Sequence, residues 1–186
     1  MLIACEYRVE KIVEHLLARN CPLDILDARG RGILHILIGD TKSTTSSKDK
    51  LAKEMLSKIV EHIETQLEKD RKEDKKDPKE KEDENLLTFV TAQTCLKQKK
   101  SPLHYCADIG YHSTAAYLIR KNPKIVNLRD REDKTALFFA SEKGHTAIVR
   151  LLVDNGGNLN KCPRPQLNGL KCKEAKSILK AKKLYS

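Results

Sequence analysis

Apolar residues recur along the chain in pairs of short blocks, and the pair returns after about 33 residues. The stretch SPLHYCADIG at 101–110 is followed, 34 residues later, by TALFFASEKG at 135–144, with Gly110 and Gly144 at the same place. Within each block the apolar residues keep the three- and four-residue spacing of one helix face. Each copy therefore predicts two short antiparallel helices that meet at the glycine. A period of this length is typical of stacked repeats.

Two further copies lie near the start of the chain. Residues 4–27 (ACEYRVEKIVEHLLARNCPLDILD) align with residues 140–162, and residues 27–39 (DARGRGILHILIG) begin another copy. In that copy Leu34–His35 stands where Leu103–His104 stands later. Small residues and the left-handed conformation expected of Gly144 allow the helices of a unit to pack closely. The sequence thus predicts about four units.

An insertion separates the second unit from the third. Leu34 and Leu103 are 69 residues apart, twice the period, so about 36 residues are additional. Residues 41–50 (TKSTTSSKDK) are polar and predict a loop. Residues 51–69 carry a helical apolar stripe and predict a lengthened second helix that faces the core. Residues 68–84 are all charged except Pro78, which predicts a solvated helix end that passes into a disordered loop. A charged linker or docking segment is the alternative.

Four phrases carry a family resemblance: Ser101-Pro102-Leu103-His104, Thr135-Ala136-Leu137, Gly144-His145 and the apolar block 148–152. They resemble the ankyrin repeat family. The resemblance implies an all-α solenoid of helix-turn-helix units with hairpin loops. It also implies structural hydrogen bonds for the imidazoles of His35 and His104, and partner binding at the hairpin tips and inner helices. Arg8, Gly32 and Phe138 depart from the family pattern.

The predicted organisation has four parts. Residues 1–39 hold a partial first unit and the start of the second. Residues 40–96 hold the long helix and the charged insert, residues 97–162 two ankyrin-like repeats, and residues 163–186 a basic capping helix or tail. Met1 aligns with Leu34, Leu103 and Leu137, so the hairpin that should precede it is missing. We expect a fragment of a longer array or a truncated gene product; the alternative is a first unit that is open on this side, with Leu2, Ile12 and Leu16 exposed.

Composition narrows the class of protein. The chain has no Trp and few aromatics, so Leu, Ile, Val and Ala must form the core. Six cysteines without a CxxC pair predict reduced, packed thiols and a cytoplasmic or nuclear location. No apolar run approaches 18 residues, so we expect no membrane span. No phosphate-binding loop, metal-ligand set or catalytic set is recognisable, which predicts a non-enzymatic protein without cofactors.

The predicted hairpin tips form a basic edge. Arg31, Lys100 and Lys134 occupy equivalent tip positions in three units. Other basic residues of this edge are Arg29, Lys97, Lys99, Arg129 and Arg131, and Glu132 and Asp133 oppose them. Such an edge favours a protein partner with an acidic segment. The alternative is an ordinary solvated edge.

The inner helices are predicted to present a second, acidic row. It comprises Glu6, Asp108 and Glu142, with Tyr7, Ile109 and Lys143 beside them. A partner that crosses both surfaces would need mixed charge, which could set its direction. An apolar row of Ile3, Ile36, Tyr105 and Phe139 also aligns, and we interpret it as core packing.

The C-terminal residues 168–186 predict an amphipathic helix with a lysine-rich outer side. Its basic residues are Lys171, Lys173, Lys176, Lys180, Lys182 and Lys183. A capping helix is one interpretation, and a patch for nucleic acid, acidic lipid or nuclear import is the other. The net charge of +10 is compatible with both.

The sequence therefore favours a monomeric, non-enzymatic scaffold or adaptor that binds a partner through hairpin tips and concave inner helices. One alternative is anion binding by the C-terminal lysines. Another is the cytosolic repeat segment of a larger channel, kinase or ubiquitin ligase.

Overall fold

A computed structural model describes residues 1–6, 10–23, 25–39, 46–73 and 98–158, and residue 177. Its helices are, in chain order, α1 (Leu2–Glu6), α2 (Glu10–Ala18), α3 (Ile33–Gly39), α4 (Ser46–Glu73), α5 (Pro102–Ile109), α6 (His112–Lys121), α7 (Ala136–Lys143) and α8 (Thr146–Asp154). A 3-10 turn, Pro123–Asn127, follows α6.

The helices stack in two parallel rows. The inner row is α1, α3, α5 and α7, and each contacts the next. The outer row is α2, α4, α6 and α8, again in contact in that order, and each inner helix also packs against the outer helix that follows it. The fold is thus an all-α solenoid of helical pairs, as predicted, because one pair cannot bury its apolar face without a neighbour.

Equivalent apolar positions of successive units form a continuous core. Leu34, Leu103 and Leu137 are each at most 1% exposed, and they follow one another along the inner row. Burial of a side chain of this size stabilises the fold by about 1.5–3 kcal/mol. The core residues of neighbouring units belong to a single cluster, so each unit depends on the next for its stability.

Two glycines end the inner helices, as predicted. Gly110 has φ 98° and Gly144 has φ 83°, which are left-handed conformations. Their amides donate to the carbonyls of Cys106 and Ala140, respectively. A Cβ at Gly110 would lie 2.7 Å from the His145 ring, so this turn also needs the glycine because the next unit approaches closely.

The long helix α4 occupies the outer row between α2 and α6. It begins at Ser46, so the predicted loop is wrong for Ser46–Lys50. The physical reason is the buried carboxylate of Asp49, which accepts hydrogen bonds from the amides of Ser113 and Thr114 and fixes this first turn against α6. The predicted loop's other residues, 41–45, and most of the charged segment lie outside the described part.

The apolar stripe of α4 faces the core, as predicted. Its buried side chains are those of Met55, Leu56, Ile59, Val60 and Ile63. Lys58 forms ion pairs with Glu10 and Glu14 of α2 beside this stripe. The helix therefore joins the first and third outer helices through both apolar and charged contacts.

The predicted apolar row on the inner helices is only partly core. Ile36 and Phe139 are buried and Tyr105 is half-buried against the core, but Ile3 is 72% exposed. The interpretation of Ile3 as core is wrong because α1 is the first described helix of the inner row, and no described inner helix precedes it to cover this side chain. Ile12 of α2 is exposed at the same end, as predicted, whereas Leu2 and Leu16, also predicted to be exposed, are half-buried.

The described cysteines are free thiols. Cys5 and Cys106 are buried and Cys21 is half-buried. Burial raises the pKa of Cys5 to about 11 and that of Cys106 well above its usual value, so both thiols stay protonated. Within the described ranges, every helix is too short or too polar to cross a lipid bilayer.

Candidate functional site: the hairpin cleft

An aspartate organises each of two hairpin tips. In the hairpin before α3, Asp27 Oδ1 accepts hydrogen bonds from the amides of Arg29 at 2.9 Å and Arg31 at 2.7 Å. Gly30 completes the turn with φ 72°. This arrangement is an Asx turn, in which the side chain substitutes for a backbone acceptor. Burial raises the pKa of Asp27, but the hydrogen bonds from Arg31 and Arg29 outweigh it and hold the pKa below its usual value.

The hairpin before α7 repeats this geometry. Asp130 Oδ1 accepts from the amides of Glu132 at 2.8 Å and Lys134 at 2.9 Å. Asp133, with φ 58°, occupies the position equivalent to Gly30. In the hairpin before α5, Lys99 occupies this position with φ 51°. The hairpins before α3 and α7 therefore share the Asx turn, and all three hairpins have a residue of positive φ at this position.

Buried imidazoles fix the tips of successive units to each other. His35 Nδ1 accepts from the Gly32 amide at 3.2 Å, so Nε2 carries the proton and donates to the Lys100 carbonyl at 2.8 Å. His104 repeats the contact one unit later, with Nε2 3.1 Å from the carbonyl of Lys134. Burial lowers the pKa of both imidazoles to about 4, which keeps them neutral. The structural role that the resemblance implied for these residues is confirmed.

A cleft of about 300 Å³ lies between the second and third hairpins. It is lined by Gln98, Lys100, Asp130, Arg131, Glu132, Lys134 and Phe139. The nearly buried ring of Phe139 lies below two ammonium groups: Lys100 Nζ is 4.3 Å and Lys134 Nζ 5.9 Å from its centroid. Both distances fall within the range of cation–π attraction. The cleft thus combines an apolar surface with two nearby positive charges.

The two ammonium groups differ in their ion pairing. Lys134 Nζ lies 2.5 Å from Glu132 Oε2, and this hydrogen bond raises the pKa of Lys134 and lowers that of Glu132. Among the residues described, no carboxylate pairs with Lys100 Nζ, whose contact is the ring of Phe139. The cleft therefore contains one neutralised and one available positive charge.

The structure divides the predicted basic edge. Lys100, Arg131 and Lys134 come together at the cleft, and Arg29 is exposed on its own hairpin. Arg31 instead folds back, with Nε 2.7 Å from Asp27 Oδ2, and stabilises the hairpin. Lys97 lies outside the described residues, as do the tail residues Lys173, Lys176, Lys180, Lys182 and Lys183.

The predicted acidic row is partly paired. Asp108 Oδ1 lies 3.5 Å from Lys143 Nζ, a loose contact between exposed groups. Glu142 is exposed, and Ile109 is half-buried against the core. Tyr7 and the side chain of Glu6 are outside the described part. The described members of this row stay candidate contacts on the inner surface.

Sequence reasoning missed three lining residues of the cleft: Gln98, Asp130 as a lining side chain, and Phe139. Phe139 aligns with Ile36 and Tyr105, and its apolar position indicates packing rather than binding. The available signal was the position of the basic tips: Lys100 and Lys134 directly precede the two repeat phrases, and Phe139 lies in the second phrase.

A second cleft, of about 400 Å³, lies between α2 and α4. Its lining is Asn20, Cys21, Pro22, Leu23, His62, Ile63 and Gln66. Gln66 Nε2 donates to Asn20 Oδ1 at 2.9 Å across it. Among the described residues that line it there is no Lys, Arg, Asp or Glu, in contrast to the lining of the hairpin cleft.

Comparison with known proteins agrees with the two-row architecture. The family model for ankyrin repeats, described as three copies, matches residues 79–161. Residues 79–161 therefore carry ankyrin repeats. The units before residue 40 lie outside this match, but α1 to α4 continue the same two rows of helices.

Three relatives match a part of the chain. The chain is 36% identical over 75 residues to transient receptor potential cation channel subfamily A member 1 of Homo sapiens, which is 39% of this chain and 7% of the relative. It is 37% identical over 59 residues to alpha-latrotoxin-Lh1a of Latrodectus hasselti, 32% of this chain and 4% of the relative. It is 36% identical over 58 residues to BCL-6 corepressor-like protein 1 of Homo sapiens, 31% of this chain and 3% of the relative. The chain thus spans less than a tenth of these relatives.

Proposed function

We propose that this ankyrin-repeat chain is a non-enzymatic interaction scaffold or adaptor. Its binding surface consists of the hairpin tips and the concave inner helices, and its partner is a protein with an acidic segment. The observation that carries the proposal is the hairpin cleft, in which the Lys100 ammonium group, unpaired among the described carboxylates, stands over an aromatic ring between two repeats.

The chemistry of the cleft suits recognition better than catalysis. Its lysines have fixed backbones because their carbonyls accept hydrogen bonds from His35 and His104. A preorganised surface binds with a smaller loss of conformational freedom. The free thiols support a reducing compartment, which is the cytoplasm or the nucleus.

The test is capture of partners by the wild-type chain beside three charge-reversed variants. The hairpin variant carries Lys99→Glu, Lys100→Glu and Arg131→Glu. Arg31 and Lys134 are left intact because they stabilise their hairpins. The tail variant carries Lys176→Glu, Lys180→Glu and Lys183→Glu. A variant of exposed α4 residues, Lys50→Glu and Lys53→Glu, controls for charge alone.

Circular dichroism first establishes that all four proteins are equally helical. We expect a captured protein, once purified, to bind the wild type, the tail variant and the α4 variant alike and to lose affinity for the hairpin variant. Binding that survives in the hairpin variant but is lost in the tail variant would overturn the proposal and favour anion binding by the C-terminal lysines. A steep salt dependence of binding to generic DNA would accompany that result.

A further inference from the structure

We propose that the hairpin cleft is a carboxylate-binding subsite, and that Glu132 occupies it as an internal substitute until a partner's Glu or Asp side chain displaces it. The inference rests on the proposed function, since the ligand is a segment of the partner protein. It adds which side chain is recognised, which residues bind it and how the chain limits its own affinity.

Lys100 supplies a positive charge with which no described carboxylate pairs. Its Nζ stands 4.3 Å from the Phe139 ring centroid, and its backbone is held by the hydrogen bond from His35 to its carbonyl. An ammonium group over an apolar ring is partly removed from water, so an incoming carboxylate has less hydration to displace. Charge-assisted hydrogen bonds of this kind are about twice as strong as neutral ones.

Glu132 marks where a carboxylate binds. Its Oε2 is 2.5 Å from Lys134 Nζ, and the positive charge of Lys100 also favours its ionised form. The Glu132 side chain is 64% exposed, whereas that of Lys134 is 19% exposed. An exposed ion pair contributes little to stability, so the carboxylate can be exchanged while the lysine stays in place.

The distribution of charge favours a peptide over a continuous polyanion. Asp130, Glu132 and Asp133 lie on the same hairpin as Arg131 and Lys134. A nucleic-acid backbone would place further phosphates near these acidic side chains, whereas a single carboxylate reaches the two lysines alone. Its methylene groups would then contact the part of the Phe139 ring that lines the cleft.

The full chain, labelled with ¹⁵N, tests the subsite by NMR titration with two probes. One is N-acetyl-glutamate N-methylamide, and the other is the neutral glutamine analogue. We expect the amide signals of Lys100 and of 131–134 to shift with the first probe and not with the second. Equal shifts with both probes would overturn carboxylate recognition.

Two single variants and a control complete the test. Lys100→Gln should raise the Kd for the glutamate probe about tenfold, the loss expected for one charge-assisted contact. Glu132→Gln should lower the Kd about threefold or more, because the internal competitor has lost its charge. Lys53→Gln, at an exposed position of α4 away from the hairpins, should leave it unchanged. An unchanged or raised Kd in Glu132→Gln would overturn the role of Glu132.

The two proposals fail separately. If the probe binds as expected but no protein binds through the hairpins, the subsite stands and the scaffold function falls. If a partner binds through the hairpins with an affinity that Lys100→Gln and Glu132→Gln leave unchanged, the scaffold function stands and the subsite falls.

Discussion

Asp49 accepts two hydrogen bonds from Thr114, 65 positions later in the chain: its Oδ1 lies 3.0 Å from the amide nitrogen and 2.7 Å from Oγ1. Its Oδ2 accepts from the Ser113 amide at 2.8 Å. Amides in the first turn of a helix have no partner within the helix, so the carboxylate caps α6 from the first turn of α4. One buried side chain thus joins the start of two outer helices across the inserted segment.

Replacement of Asp49 should therefore destabilise the whole solenoid. We expect Asp49→Ala to lower the free energy of unfolding by about 2–3 kcal/mol, since it leaves buried donors without an acceptor. Lys53→Ala, on an exposed position of the same helix, should change it by less than about 0.5 kcal/mol. Urea unfolding followed by circular dichroism measures both values.

A double-mutant cycle tells whether the stability lost in Asp49→Ala comes from the contact with Thr114 or from other changes in α4. If Asp49 acts through Thr114, the combination of Asp49→Ala with Thr114→Val should cost clearly less than the sum of the single changes. Additive losses would show that the two side chains act independently.

The two residues also show what the sequence could and could not predict. Gly110, Gly144 and the histidines act within one repeat phrase or between adjacent phrases, so the period of the sequence was enough to assign them. Asp49 lies in a polar stretch outside the repeat, and its partners are known only once α4 is placed against α6. Residues 46–50 have a composition typical of a loop, so the sequence alone did not predict that α4 begins at Ser46.

The candidate site was partly predictable for a related reason. Tip positions follow from the repeat register, which identified Lys100 and Lys134. Register does not tell how a side chain turns: Arg31, at the same position, pairs with Asp27 instead. Phe139 is packed like a core residue and still lines the cleft, a double role that an apolar position alone does not reveal.

The glycine at the end of α5 should be far less replaceable than another glycine of similar conformation. Gly110 and Gly156 have φ values of 98° and 82°, so alanine is strained at both. At Gly110 a Cβ would also meet the His145 ring at 2.7 Å, whereas a Cβ at Gly156 would meet no described residue within 4 Å apart from its chain neighbours. We expect Gly156→Ala to cost about 1 kcal/mol and Gly110→Ala at least about 1 kcal/mol more. Equal losses in thermal or urea unfolding would argue against the steric contact.

The free energy of unfolding should decrease as the pH is lowered, at pH values above those at which the carboxylates titrate. Burial lowers the pKa of His35 and His104 to about 4, below the value of about 6.5 in the unfolded chain, so the unfolded state binds more protons. Their contribution is complete above pH 6.5 and is lost progressively as the pH falls from about 6.5 to about 4. Each shift corresponds to about 3 kcal/mol.

Urea midpoints measured between pH 4 and pH 7 test this contribution. The slope of stability with pH in that range should become clearly smaller in His35→Gln and smaller again in the double variant with His104→Gln. His15→Gln, at an exposed position of α2, serves as the matched control and should keep the wild-type slope. Asp27 has a lowered pKa and loses its contribution only at more acidic pH, so it does not account for the same slope.

Equivalent positions of the repeat should contribute unequally because their neighbours differ. Ile36 is 4% exposed between α1 and α5, while Ile3, one unit earlier, is 72% exposed. We expect Ile36→Ala to lower the free energy of unfolding by about 2–4 kcal/mol, through lost burial and the cavity that remains. Ile3→Ala should lower it by less than about 0.5 kcal/mol in the same urea experiment. A large loss in Ile3→Ala would mean that α1 is covered in solution, and analytical ultracentrifugation would then distinguish self-association from contact within one chain.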